Sequence, residues 1–201
     1  MARYTGPRTK VSRRARQLLD ENKAKYFDKR PYPPGQHGRG RIRESQYQIQ
    51  LREKQKLRFM YGVLERQFRR YYELAARQKG ITGENLLRLL ETRLDNVVYR
   101  AGFAHTRPQA RQLVNHSHFL VNGRKVDIPS YRVGQGDIVT MRERSRNILP
   151  IQHAVDMVDR QVPEWLVVDK ADRRATVTVL PSRQQIDTQI LEQLIVELYS
   201  K

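Results

Sequence analysis

Two arginines four residues apart, Arg107 and Arg111, follow a sharp helix start at Thr106-Arg107-Pro108-Gln109. Threonine can accept from first-turn N–H groups, proline presets the first helical φ, and glutamine at the third position can close a capping box. Residues four apart share a helix face, so both guanidinium groups lie together, while Ala110, Leu113 and Val114 form an apolar side turned toward the following strands. The chemistry open to such a face is phosphate binding, because guanidinium matches phosphate geometry and a helix N-terminus adds free N–H donors. A pair of solvated charges is the rival reading, and spacing alone does not choose between them. His116 and His118 follow the helix. A His-x-His pair can ligate a metal, yet there is no cysteine and no neighbouring carboxylate cluster to complete a site, so a polar surface or phosphate contact is the expected role. Phe119, Val121, Asn122-Gly123, Val126 and Ile128 come next, and Asn-Gly between alternating apolar residues signals a hairpin. Arg124 follows that turn.

Enzyme chemistry finds no support. The chain has no glycine-rich phosphate loop, nucleophile elbow or two-histidine helical motif, and no cysteine to act as nucleophile or zinc ligand. Its five histidines are scattered and its carboxylates are spaced as surface helix charges. No catalytic residue, metal, cofactor or small-molecule substrate is expected.

The charge has a direction along the chain. Residues 1–80 hold 22 Lys+Arg against 7 Asp+Glu, or +15 of the total +18, whereas residues 81–201 hold 17 against 14. A surface this basic reads as the footprint of a polyanion, nucleic acid before membrane, since no apolar run reaches the ~18 residues of a span. The N-terminal residues lack an apolar signal core, so a soluble, cytoplasmic protein is expected. A solvated disordered tail is the competing reading of the first 44 residues. Tyr4, Tyr26, Tyr32, Tyr47 and Tyr61 are interleaved with the charge and suit unpaired RNA bases, although Tyr61 reads better as core.

The elements expected to position these groups are mainly helical. A short helix is predicted over Val11–Leu19, and the Lys29–Gly38 run, with prolines at 31, 33 and 34, excludes helix. Ser45–Arg77 is the strongest helical stretch, broken near Gly62 and stopped by Gly80. Thr82 starts a helix with Leu86, Leu87, Leu89, Leu90, Leu94 and Val98 on its apolar side. After the hairpin, Gly134–Asp137 makes a turn, Ile138–Arg142 a strand, and Ile148–Val158 a helix. Trp165–Asp169 and Thr176–Leu180 form a strand pair around Lys170–Arg174. Asp187 is placed to cap the final helix, with Ile190, Leu191, Leu194, Ile195 and Leu198 apolar. The predicted fold class is α+β: a basic arm over 1–44, a helical domain over 45–91 completed by the C-terminal helix of 182–201, and an inserted α+β module over 92–181, with two helices packed on a short antiparallel sheet.

The stretch Arg93-Leu94-Asp95-Asn96-Val97-Val98-Tyr99-Arg100, then Thr106-Arg107, Ala110–Val114, His116, His118, Val121-Asn122-Gly123 and Pro129-Ser130-Tyr131 closely resemble the RNA-binding module of the S-four family of small-subunit ribosomal proteins. The module also occurs in pseudouridine synthases, tyrosyl-tRNA synthetases and heat-shock RNA-binding proteins. Met1–Pro7, Pro34–Gly38, Gln50–Lys56, Tyr61–Val63, Gln67–Arg69 and Glu192–Glu197 extend the resemblance to the bacterial ribosomal members nearly end to end. Many of those carry an N-terminal cysteine zinc site; this chain resembles the zinc-free branch, in which other contacts must order the arm.

The resemblance implies a primary binder of 16S ribosomal RNA that nucleates assembly of the 5′ domain, lines the channel through which messenger RNA enters beside ribosomal proteins S-three and S-five, and influences decoding accuracy with S-five. Carried over by residue, Arg3, Lys10, Arg13, Arg14, Arg52, Lys54, Lys56, Arg58, Arg69 and Arg70 become candidates for ribosomal RNA phosphates. Arg107, Arg111, His116, His118 and Arg124 are those of the second module. Arg39, Arg41 and Arg43 would suit the messenger path. Glu192 and Glu197, in a C-terminal segment with 8 Asp+Glu against 6 Lys+Arg over 151–201, would face a protein neighbour, S-five by resemblance. An RNA-modifying enzyme would need a catalytic domain for which few residues remain. A free nucleic-acid-binding regulator is the stronger rival.

Overall fold

The computed structural model describes residues 4–19, 23–40, 43–157 and 161–200. Arg3 and Arg41 lie outside these residues. The chain forms two compact units, Met1–Gly83 with Thr188–Lys201 and, between them in sequence, Glu84–Asp187.

In the first unit, α1 (Arg8–Ala15) and α2 (Ala24–Asp28) stand in the basic arm. The first starts earlier than the predicted Val11 and ends where Arg16 turns left-handed at φ 53°. The second falls in a stretch for which no helix was predicted. The Pro33–Gly40 loop closes tightly: a Cβ on Gly38 would sit 2.0 Å from the Pro33 carbonyl oxygen, so only glycine fits there. Helix α3 (Gln46–Met60) opens with a full Ser45/Gln48 capping box, and α4 (Glu65–Arg77) follows the break around Gly62. Helix α4 ends at Arg77 with Gln78 already extended, so Gly80 does not form its cap. Phe68 and Ala75 bury completely along α4, as does Leu57 of α3. The last helix, α9 (Glu192–Ser200), packs along α3 and stacks Tyr199 on Tyr72 with ring centroids 4.6 Å apart.

In the second unit, the apolar run beginning at Thr82 is two helices, α5 (Thr82–Glu91) and α6 (Leu94–Arg100). The chain breaks at Thr92–Arg93 because the neighbouring 129–133 segment bonds the backbone there. Val133 N–H donates to the Thr92 carbonyl, and the Tyr131 and Pro129 carbonyls accept from Leu94 and Asp95 N–H. Those carbonyls satisfy N–H groups that the first helical turn leaves free. Helix α7 (Arg107–Asn115) precedes β1 (Phe119–Val121), β2 (Arg124–Lys125) and β3 (Ile138–Met141). Helix α8 spans Leu149–Met157, and β4 (Leu166–Asp169) and β5 (Arg174–Val177) complete one antiparallel sheet in the order β2-β1-β3-β5-β4. The fifth strand begins two residues before the predicted Thr176, which shortens the turn. The β1–β2 turn holds Asn122 and Gly123 at φ 50° and 77°, the positive pair that a two-residue hairpin of right-handed twist requires.

One face of the sheet carries the core. Phe119, Val139, Ala175 and Val177 are fully buried with Val97 and Val98 of α6, Ala110 and Val114 of α7, and Ile151 of α8, over a Trp165 that is 1% exposed. The fold class is thus α+β, helices on one side of an antiparallel sheet. Asp187 does not cap the final helix, which starts five residues later at Glu192; it is held instead by Arg100. Phe119→Ala would leave a cavity stacked against Phe103, and should lower unfolding free energy by about 3–5 kcal/mol in urea titration.

Candidate nucleic-acid interface

The cations of the first unit divide by exposure. Lys10 and Arg14 of α1, and Arg66, Arg69 and Arg70 of α4, are exposed. Arg69 makes a surface pair with Glu73 at 3.3 Å, an arrangement worth little in water. The α3 candidates are engaged within the fold. Lys54 is 8% exposed, donates to Glu65 at 2.7 Å and lies 5.6 Å from the Tyr199 ring centroid. Burial pushes the Glu65 carboxyl up, but hydrogen bonds from Lys54 and Tyr199 outweigh it and hold it below its ordinary value. Burial, with the Glu65 charge beside it, pushes the Tyr199 hydroxyl well up. Lys56 donates to Glu53 at 2.7 Å, Arg52 pairs with Glu44, and Arg58 covers the Phe59 ring at 4.4 Å. The four side chains expected to meet phosphates at 52, 54, 56 and 58 are thus already engaged: Lys54 ties α3 to α4 and Arg52 ties it to Glu44, whereas Lys56 and Arg58 make these contacts within α3.

The arm is tied by an aromatic clasp. Tyr32 has the guanidinium carbons of Arg13 and Arg39 5.0 and 4.9 Å from its ring centroid. Arg13 also donates to the Tyr32 and Pro33 carbonyls at 2.9 and 3.3 Å. A hydrogen bond from Arg39 lowers the Tyr32 hydroxyl pKa. Arg13 thus orders the arm, while Arg39 and Arg43 remain exposed. Tyr26 and Tyr47 are 60% and 58% exposed, Tyr4 meets Phe59 edge-on, and Tyr61 is core at 2%. Glu197 accepts from Gln50 at 2.8 Å and so helps fasten α9 to α3, which sets it apart from a simple outward-facing contact. Glu192 is half-buried.

In the second unit, Arg107 and Arg111 do share a face of α7, but that face meets α6. Arg107 donates to Asn96 Oδ1 at 2.8 Å and stacks 4.3 Å from the Tyr99 centroid. Arg111 donates twice to Asp95 Oδ2, at 2.9 and 2.8 Å. Both guanidinium groups, half-buried, are thus engaged by partners within the fold. They join a network with Arg93, Asp95, Asn96, Glu91, Arg100 and Asp187, of which only Asp187 had a role predicted from the sequence, as a cap. Arg93, 1% exposed, grips both oxygens of Asp95 at 3.0 and 2.7 Å. Glu91 accepts from Asn96 and Arg100, and Arg100 reaches on to Asp187 in a two-point contact at 2.9 and 2.6 Å. Arg100 holds the Asp187 carboxyl below its ordinary range. Charged residues at 91, 93, 95 and 100 inside an otherwise apolar run were the signal, since buried charges persist when paired.

Thr106 accepts from Gln109 N–H as predicted, whereas the Gln109 side chain reaches past Thr106 to the His105 N–H at 2.9 Å and leaves the capping box unclosed. His116 is exposed at the α7 C-terminus, and His118 meets Ser145 Oγ at 2.9 Å. Burial, with His116 and Arg142 nearby, lowers the His118 pKa, so the ring is neutral near pH 7. Arg124 and Lys125 are exposed on β2. Of the candidate phosphate-binding residues in this unit, His116 and Arg124 are therefore the exposed ones. Among the described residues no cluster of three or more His, Cys, Asp or Glu could hold a metal ion, and no helix is long and apolar enough to cross a membrane.

Sequence comparisons agree in kind. The family described as Ribosomal protein S4/S9 N-terminal domain matches residues 3–91, and the S4 domain matches residues 92–139. The chain is 64% identical to small ribosomal subunit protein uS4 of Nocardia farcinica and 63% identical to that of Mycolicibacterium smegmatis, with 100% of both chains covered in each case.

Two outcomes are expected of this geometry. Asp95→Ala strands a buried Arg93, and urea titration should show a loss of about 3–5 kcal/mol. The lowered His118 pKa means the native state binds fewer protons than the unfolded chain below the ordinary value of 6.5. Stability should therefore fall as pH drops through 6.5 toward the folded pKa, and His118→Gln should flatten that slope between pH 7.5 and 5.5.

Proposed function

The chain belongs to the uS4 family of small ribosomal subunit proteins, a structural and non-enzymatic family, and from that membership we propose that it binds 16S ribosomal RNA as an early, nucleating contact of the 5′ domain. The observation that carries this reading is the contrast among its cations. Arg52, Lys54, Lys56, Arg93 and Arg100 are paired with carboxylates inside their units, while Lys10, Arg14, Arg66, Arg69, Arg70, Arg124 and Lys125 are exposed to an outside polyanion. Distributed open cations suit a large RNA junction, where affinity sums over many phosphates and the shape of the RNA supplies specificity. Lys10, Arg14, Arg69, Arg70, Arg124 and His116 are the groups best placed for it. Arg3 belongs to the same proposal.

The exposed Arg39 and Arg43, with Arg41, are assigned to the path of messenger RNA into the ribosome, alongside protein S-three. Glu192 and the acidic C-terminal segment are assigned to protein S-five, the contact through which decoding accuracy would be influenced. Cytoplasmic ribosomes are the expected location.

Filter binding at several salt concentrations tests the central claim. A 16S 5′-domain transcript should bind at least tenfold tighter than random RNA of equal length at moderate salt, with a steep salt slope. Equal affinity would overturn it. Arg14→Ala combined with Arg70→Ala should reduce the slope by about two without moving the thermal midpoint. Sucrose gradients should place the protein in the small subunit in equal stoichiometry; release from it at high ionic strength would favour a free regulator.

A further inference from the structure

The S4 domain match ends at residue 139, and the chain beyond it assembles another group of cations. Strand β3 runs into Arg142, Arg144 and Arg146, and the β4–β5 turn carries Lys170, Arg173 and Arg174. Hydrogen bonds set the two segments side by side. Met141 N–H donates to the Arg173 carbonyl at 3.1 Å, Arg146 Nη2 donates to the Asp172 carbonyl at 3.3 Å, and Arg173 returns a bond to the Arg146 carbonyl. The group also reaches the α7 end: Arg142 N–H donates to the His118 carbonyl at 2.9 Å and its Nη1 to the Ser117 carbonyl at 3.3 Å. Of the acidic residues in the same segments, Asp169 turns one oxygen to the Ala171 and Asp172 N–H groups, and Glu143 and Asp172 leave cations in excess.

The sheet register extends this group across the strands. Arg174 lies opposite Thr140, Thr140 opposite Leu120, and Leu120 opposite Lys125. Their neighbours Val139 and Ala175 are fully buried, so by alternation this row lies on the face away from the core. Arg144, Lys170 and Arg174 are exposed at one end of it and Arg124 and Lys125 at the other. Like charges gathered this closely repel one another in the free protein, and a polyanion relieves that cost.

We infer that the 142–146 segment and the 170–174 turn form a phosphate-binding site of their own, which seats an RNA backbone along the outer sheet face between that turn and the β2 hairpin. The inference rests on the RNA-binding reading above and adds a contact surface outside the matched module. Arg144, Lys170 and Arg174 grip phosphates; Arg146 and Arg173 hold the two segments together, and Arg142 ties them to the α7 end.

The test is salt-dependent binding of the full-length chain to the 16S 5′-domain transcript. Arg144→Ala, Lys170→Ala and Arg174→Ala combined should weaken binding by about tenfold or more at moderate salt and lower the salt slope by about two to three, with an unchanged thermal midpoint. The lysine variant Arg144→Lys with Arg174→Lys should keep the slope, because the charge is retained. An unchanged slope in the triple variant, with the Arg14/Arg70 variant still impaired, overturns this site alone. Loss of slope in the lysine variant overturns phosphate neutralisation as its basis. Failure of the unaltered chain to prefer the transcript overturns the broader reading instead.

Discussion

The charged seam between α6 and its neighbours governs the second unit. Asp95 receives Arg93 and Arg111, Glu91 receives Arg100 and Asn96, and these partners come from α6 with its N-cap and from α7. Burying one charge alone costs several kcal/mol, so the seam is tolerable only when every member is in place. That requirement fixes α7 against α6, and thereby fixes the axis along which His116, His118 and the hairpin emerge. Apolar packing beneath it would accept several similar arrangements. The paired charges accept few.

This shifts the meaning of the arginines. A basic residue in an RNA-binding chain invites assignment to phosphate, yet the most deeply placed guanidinium groups here, Arg93, Arg100 and Arg111, have carboxylate partners within the fold. The same division holds in the first unit, where Lys54 is internal and Arg70 is open. Electrostatic grip and structural fastening use one residue type, and only burial and partner separate the two uses.

Much of the architecture is legible in the sequence because local signals coincide there. Asn122-Gly123 between alternating apolar residues, Thr106 before Arg107-Pro108, and the Ala110/Leu113/Val114 face each combine propensity with periodicity. What escapes is decided by distant chain. The break at Thr92–Arg93 depends on carbonyls of Pro129 and Tyr131, and Asp187 reads as a cap until Arg100 is found beside it. The inward turn of Arg107 and Arg111 escapes for the same reason: a spacing of four gives a shared face but not the element that face meets. Helix α2 is missed because a basic stretch offers no apolar stripe to declare it.

Helix α9 carries a consequence for the order of biogenesis. Its Tyr199 seals against Glu65 and Tyr72, and its Glu197 against Gln50, pairings that span well over a hundred residues. The intervening unit, by contrast, draws its contacts from one continuous stretch. During synthesis the second unit can therefore close first, while the earlier helices α3 and α4 must wait, with their apolar faces incompletely covered, until nearly the whole chain has emerged. The helices that precede the intervening unit are thus covered only after it, by a segment that follows it in the chain.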